Sequence, residues 1–272
     1  MNAGISATCW ALRQTADPLP PFIGDLPQPQ DGIEAAIHAW SQLQHTTVVD
    51  SASFFPLYLH HAGGHVDAVR ARRNREGTHM ADQFFHDVRP DPPRHLGLPR
   101  TSDLIHPTFR MVTIQSCRCT DGDEFDEKVV LINIAFPRIS LQNSINEYLD
   151  SATIPRCRHC NQFRREVTRR RLIHATPVIA VAFQRVTYET GQRIPDLAAI
   201  DSFFLNFPTI QENVPARYEL ISAIQYTGGV HFVSLLRSRN GRFVRVSDNH
   251  PPTVAGRLDF RRAEIFLFRR LL

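Results

Sequence analysis

The sequence predicts an α+β fold, with helices in the first part of the chain and an antiparallel sheet in the last. Two observations carry that prediction. Up to about residue 105, apolar residues recur at helical spacing between proline-rich connections. Beyond it, short runs rich in Val, Ile and Phe alternate with Gly, Asn and Asp turn signals, as in strands joined by hairpins. Helices and strands that segregate along a chain, rather than alternate, define the α+β class.

The elements follow in order. "TCWALRQT" (8–15) reads as a short helix with Thr8 as a candidate N-cap, and "DPLPPFIGDLPQPQDG" is a loop that ends it. Ile33, Ala36, Ile37 and Trp40 mark a second helix between Gly32 and Gln44. "HMADQFFHDV" (79–88) places Met80, Phe84 and Val88 on one helical face, and "RPDPPRHLGLPRTSDLIHP" is a second proline-rich connection. "FRMVTIQSCRC" and "KVVLINIAF" then read as strands separated by an acidic turn, "TDGDEFDE". "SLQNSINEYLD" reads as a helix capped by Ser140, with Leu141, Ile145 and Leu149 on its apolar face. "TPVIAVAFQRVTY" reads as a buried strand, followed by strands in "RYELISAIQYT", "VHFVSLLRS" and "GRFVRVSD", with turns at the Gly-Gly and Arg-Asn-Gly sequences.

Composition narrows the function classes. At 272 residues, 42% apolar and 21% charged, the chain matches an ordinary globular protein able to bury its own core. No apolar run approaches the ~20 residues of a membrane-spanning helix, and the N-terminus lacks the pattern of a secretory signal. The expected setting is intracellular, in cytoplasm or nucleus, without a membrane partner. The net charge is only +4. The basic runs "RARRNR" (70–75) and "RREVTRRR" (164–171) lack interleaved aromatic stacking platforms, so they read as solvated faces rather than a nucleic-acid site. Lys128 is the one lysine among 31 basic residues. A coding bias toward arginine and selection against lysine near ubiquitin ligation both account for that.

The five cysteines divide unequally. Cys117 and Cys119 form one pair, Cys157 and Cys160 another, each near a predicted strand end or turn. Two such pairs suit a tetrahedral zinc site with four thiolate ligands; four ordinary thiols is the alternative. His159 is a substitute ligand. Cys9 stands apart at a predicted helix N-terminus, where the helix dipole and backbone N–H groups favour a thiolate. A nucleophilic thiol needs a base, and the base needs a third group to orient it. His231 opens a strand after a Gly-Gly turn, and Asp248 follows one hairpin later; His174 and His250 are weaker candidates for the base.

These segments together resemble the ubiquitin-specific protease family, over nearly the whole chain. "GISATCW" resembles the family's cysteine box, and "REGTHMADQFF" its G-x-Q-x-D-A-x-E-F-L stretch. The cysteine pairs, with the "SLQNSINEYL" helix before the second, resemble its fingers. "TPVIAVAFQR", "YELISAIQYTGGVHFVSLLR" and "RFVRVSDN" resemble the later strands that carry its histidine and aspartate. The resemblance implies a papain-like cysteine protease fold in a single catalytic domain, with thumb (about 1–105), zinc-binding fingers (106–170) and palm (171–272). It implies Cys9 as nucleophile, His231 as general base and Asp248 as orienter, and one structural zinc on Cys117, Cys119, Cys157 and Cys160. The implied activity is thiol-dependent hydrolysis of isopeptide bonds at the C-terminal glycine of ubiquitin, with ubiquitin or a ubiquitin-like protein and its conjugates as partners. The chain departs from the family pattern at Gly4, where an oxyanion-donating Asn is usual, and at Leu12, Arg13 and Val230. Two other readings therefore stand beside it: an isopeptidase for SUMO or another modifier, and a catalytically weak or inactive ubiquitin-binding scaffold.

Overall fold

A computed structural model describes residues 105–115, 122–129, 131–134, 140–154, 156–157, 160–163, 165–183, 203–210, 214–228, 231–238, 240–247, 250–255 and 263–271. The three helices expected before residue 105 lie outside these residues, as does the segment read as a thumb. The described part is mostly β-sheet, in two sheets, with one helix.

The smaller sheet is built from β1 (Thr108–Gln115), β2 (Glu124–Lys128), β4 (Asp150–Thr153) and β5 (Glu166–His174), in the order β2-β1-β5-β4, all antiparallel. One expectation is corrected here. The second half of the acidic "turn" is strand β2, every residue of it exposed. Its acids alternate onto one face: Glu124 and Asp126 both meet Arg110 of β1, with Arg110 Nε donating to Asp126 Oδ1 at 2.9 Å. A charged edge strand also resists pairing with other chains. Residues 166–171 of the basic run lie in β5, an inner strand of this sheet. Two of its arginines meet neighbours, Arg171 Nη1 donating to Asp150 Oδ1 at 3.0 Å and Arg170 stacking over the Tyr148 ring at 4.7 Å, while Arg169 is exposed.

Helix α1 (Leu141–Leu149) starts where Ser140 Oγ accepts from the Asn143 N–H, the N-cap expected from the sequence. Leu141, Ile145 and Leu149, one face at i, i+4 and i+8, are 3%, 0% and 2% exposed, so the helix is pinned by that apolar stripe. Opposite it, Gln142 clamps β7 (Phe204–Phe207) at both ends of one residue: its Oε1 accepts from the Asn206 N–H and its Nε2 donates to the Asn206 carbonyl.

The larger sheet contains eight strands: β11-β10-β9-β8-β12-β6-β3 along one path, with β7 pairing β8 beside it. Here β3 is Ile132–Ile134, β6 Val178–Phe183, β8 Ala216–Gly228, β9 His231–Arg237, β10 Phe243–Ser247, β11 His250–Val254 and β12 Ala263–Leu271. The antiparallel expectation holds except at one place, where β3 runs parallel to β6. All six residues of β6 are buried, as its unbroken apolar run dictates. The Arg-Asn-Gly turn between β9 and β10 closes through the Gly241 N–H donating to the Ser238 carbonyl, with Gly241 at φ +80°, a conformation glycine adopts without steric penalty.

One core joins the two sheets. Phe109 and Leu172 of the small sheet share a cluster with Ile145 of α1 and with Leu205, Phe207, Tyr218, Leu220 and Phe266 of the large one. Phe207 packs edge-on against Tyr218 at 5.5 Å and leans on Phe109 at 6.3 Å. Leu172 also ties the backbones together: its N–H donates to the Pro208 carbonyl and its carbonyl accepts from the Ile210 N–H. The buried Tyr218 hydroxyl is satisfied by the Thr176 carbonyl at 2.9 Å.

Candidate functional site

The hairpin β8–β9 turns tightly, with Gly228 opposite His231, so His231 opens β9 at the end of the sheet. Strand β10 runs back antiparallel to β9, with Val246 opposite Ser234. The C-terminal end of β10 and the first residues of β9 therefore lie at the same end of the sheet. Ser247 ends β10, opposite His250 at the start of β11. Asp248, the next residue in sequence, lies outside the described residues, as do Cys9, Gly4, Leu12, Arg13 and Val230. The strand that His231 opens is anchored in the core: Phe232, Val233, Ser234 and Leu235 are all buried. Of the other histidines weighed as the base, His174 is exposed at the end of β5 in the small sheet, and His250 opens β11.

The cysteine pairs relate to the small sheet in a definite way. Gln115, the last residue of β1, lies opposite Glu166, the first of β5, which lies opposite Thr153, the last of β4. The connection that carries Cys117 and Cys119 thus leaves the sheet at the same end as the one carrying Cys157 and Cys160. Cys117, Cys119 and His159 lie outside the described residues. Among the described residues no three His, Cys, Asp or Glu side chains group as a metal site requires.

Cys157 and Cys160 sit on a compact turn. The Cys157 N–H donates to the Gln162 carbonyl and the Cys157 carbonyl accepts from the Asn161 N–H, both at 2.8 Å. Arg156 and Phe163 form an antiparallel bridge at its base, and the Arg156 guanidinium lies over the Phe163 ring at 4.8 Å. Asn161 adopts φ +54°, the left-handed region that asparagine enters more readily than other side-chain-bearing residues. Cys157 is buried and Cys160 exposed. Sequence reasoning found the cysteines and missed Asn161. The signal was present, since an Asn directly after C-x-x-C is well suited to a left-handed closing position. It missed Gly122 as well. A Cβ there would come within 2.1 Å of the Thr113 carbonyl oxygen, so only glycine lets the chain return from the first cysteine pair to β2.

A second polar constellation braces the large sheet away from these positions. Glu219 of β8 accepts from Arg237 of β9 and, at 2.9 Å, from Arg269 Nη2 of β12. Burial alone would raise the Glu219 carboxyl, but hydrogen bonds from Arg269 and Arg237 and their charges more than offset it and hold it below the usual glutamate value. Its side chain is only 12% exposed. The group is structural: its oxygens are committed to the two guanidinium groups.

No family model matches the chain, and no curated protein matches it. Solved structures do. A chain of the SAGA deubiquitinase (DUB) module Ubp8/Sgf11/Sus1/Sgf73 bound to monoubiquitin is similar at a TM-score of 0.58 and 10% identity, covering 89% of this chain and 58% of that one. The same module bound to ubiquitin aldehyde gives 0.56 at 10% identity, with 89% and 59% covered. The present chain spans less than three fifths of the chains it matches. At this identity the likeness is one of fold: the fold is similar to that of a chain from a deubiquitinase module.

Proposed function

We propose that the protein is a thiol-dependent deubiquitinase that hydrolyses isopeptide bonds at the C-terminal glycine of ubiquitin. The observation that supports it most is the placement of His231 at the start of β9, beside the end of β10 that Asp248 follows, in a fold similar to a deubiquitinase chain. In this reading Cys9 attacks the carbonyl of the scissile bond. His231 takes the thiol proton and returns it to the departing lysine amine, and Asp248 fixes the imidazole tautomer. The burial of Phe232, Val233, Ser234 and Leu235 supports this reading, because a proton carrier needs a backbone anchored in the core.

Zinc belongs to the same proposal as a structural group. Cys117, Cys119, Cys157 and Cys160 would hold it with four thiolates, and the common exit of both connections from one sheet end fits that donor set. Bound there, it would supply structural cross-linking through those thiolates and no acid–base chemistry.

Gly4, Leu12 and Arg13 favour a second reading, a weak or inactive ubiquitin-binding scaffold, because the side-chain oxyanion donor usual in the family is missing. A ubiquitin propargyl-amide probe, run beside a SUMO probe, separates the readings. A covalent ubiquitin adduct is expected. Ubiquitin binding without an adduct leaves the scaffold, and an adduct with the SUMO probe alone transfers the activity to that modifier.

A further inference from the structure

We propose that Asn240, in the turn between β9 and β10, is a site of spontaneous covalent modification, activated by the hydrogen bonds that its own turn aims at its side chain. The side-chain amide closes on the Gly241 nitrogen to a cyclic imide, which water reopens to aspartate or isoaspartate. Of the ten asparagines in the chain, Asn240 alone is followed by glycine. Both residues are exposed, so water and base reach them freely.

The turn supplies more than the dipeptide. Asn240 Oδ1 accepts from the Arg242 N–H at 3.1 Å, which folds the side chain forward along the chain, the direction that ring closure requires. The Ser238 hydroxyl also reaches that oxygen. Two donors on Oδ1 draw electrons from Cγ and are already aimed at the negative charge that develops when a nitrogen adds there. Gly241 has no Cβ to crowd the attack, and where one would stand the nearest atom is Arg237 Nη2, 3.9 Å away. The Gly241 N–H donates to the Ser238 carbonyl at 2.9 Å, a contact that opens as its proton is lost.

In the first step base removes the Gly241 amide proton, the nitrogen bonds to Asn240 Cγ, and the Cγ–Nδ2 bond breaks as ammonia leaves. In the second step water adds to one of the two imide carbonyls. Breaking the nitrogen–Cγ bond leaves aspartate. Breaking the bond to the main-chain carbonyl carbon leaves isoaspartate, whose chain runs through the former side chain. Either product puts a carboxylate near Arg242 and Arg237 where a neutral amide stood. Isoaspartate also adds a methylene between Arg237 and Phe243, the strand pair that this turn joins.

The test holds the full-length chain at mildly alkaline pH in heavy-oxygen water and follows each asparagine by peptide mapping and mass spectrometry. Isoaspartate is counted by enzymatic methyl transfer from S-adenosylmethionine. Asn240 should take up label about tenfold faster than any other asparagine, because no Cβ shields the nitrogen that attacks it. Ser238→Ala, checked for folding by far-UV circular dichroism, should slow that uptake about threefold, the worth of one exposed hydrogen bond. Asn240→Gln should abolish both label and methyl acceptance in this peptide. Another asparagine reacting as fast as Asn240 overturns the proposal, and so does an unchanged rate in Ser238→Ala. Should Ser238→Ala fail to fold, the ranking of asparagines in the wild-type chain still decides.

Discussion

Gln115 and Glu166 face each other across the last paired position of β1 and β5, so the chain segments that leave them depart from one edge of the small sheet. The two connections that carry the cysteine pairs, some forty residues apart in sequence, thus begin at one end of that sheet. Purified protein is expected to contain one zinc per chain by elemental analysis. Chelation should lower its thermal midpoint, and Cys157→Ser should mimic chelation, since metal binding and folding are coupled. Metal-free protein with an unchanged midpoint in chelator would refute this.

Gly122→Ala should destabilise the same region. The added methyl meets the Thr113 carbonyl oxygen, a backbone atom that cannot swing aside, and Thr113 also donates its N–H to the Asp123 carbonyl at 2.8 Å. A loss of about 2 kcal/mol in urea unfolding is expected, typical of forced overpacking. Ser at the same position should behave alike, because the clash begins at Cβ.

Glu219 makes stability depend on pH in a predictable direction. Its folded-state value lies below the ordinary one, so its contribution is complete above the usual glutamate range and is lost as pH falls through the folded value. Glu219→Gln should lower stability at neutral pH by about 2 kcal/mol, because two guanidinium groups lose their counter-charge in a mostly buried setting. The deficit of the variant relative to wild type should shrink on acidification. A constant deficit from neutral pH down to pH 3 would show that the charge is not what matters.

The triad makes the sharpest kinetic prediction. Cys9→Ala should abolish labelling by the ubiquitin probe, and His231→Ala should do almost as much, because such residues act as a unit. Asp248→Ala should cost less, with Asn249 beside it as a partial substitute. Gly4→Asn should raise turnover by restoring a side-chain donor to the developing oxyanion. Cleavage that persists in Cys9→Ala would end the proposal.

Much of the β-rich half was legible from pattern alone. The stripe of Leu141, Ile145 and Leu149 gave α1 with its cap, and the apolar run at 178–183 gave β6, because burial on one stripe or on both faces writes directly into residue order. Strands β2 and β5 were obscured by their charges. Glu124, Asp126 and Arg171 are satisfied by cross-strand partners, and no single-strand reading reveals a partner on another strand. The strands β7, β11 and β12 went unread for different reasons. β7 has only four residues, β11 opens with His-Pro-Pro, a pattern suited only to an edge, and β12 ends in paired arginines that resemble a solvated tail. Of the candidate site, residue types and order were legible, while the closing role of Asn161 depends on a backbone angle.

The root of the small sheet has an evolutionary corollary. Phe109 and Leu172 are wholly enclosed by side chains of the larger sheet and α1, so this appendage is not a cassette that recombination can lift out and transplant. A graft cut at its base would expose two large apolar side chains on one stump and a matching hollow on the other. A substitution at that base has to be accommodated by the rings of Phe207 and Tyr218 packed around it.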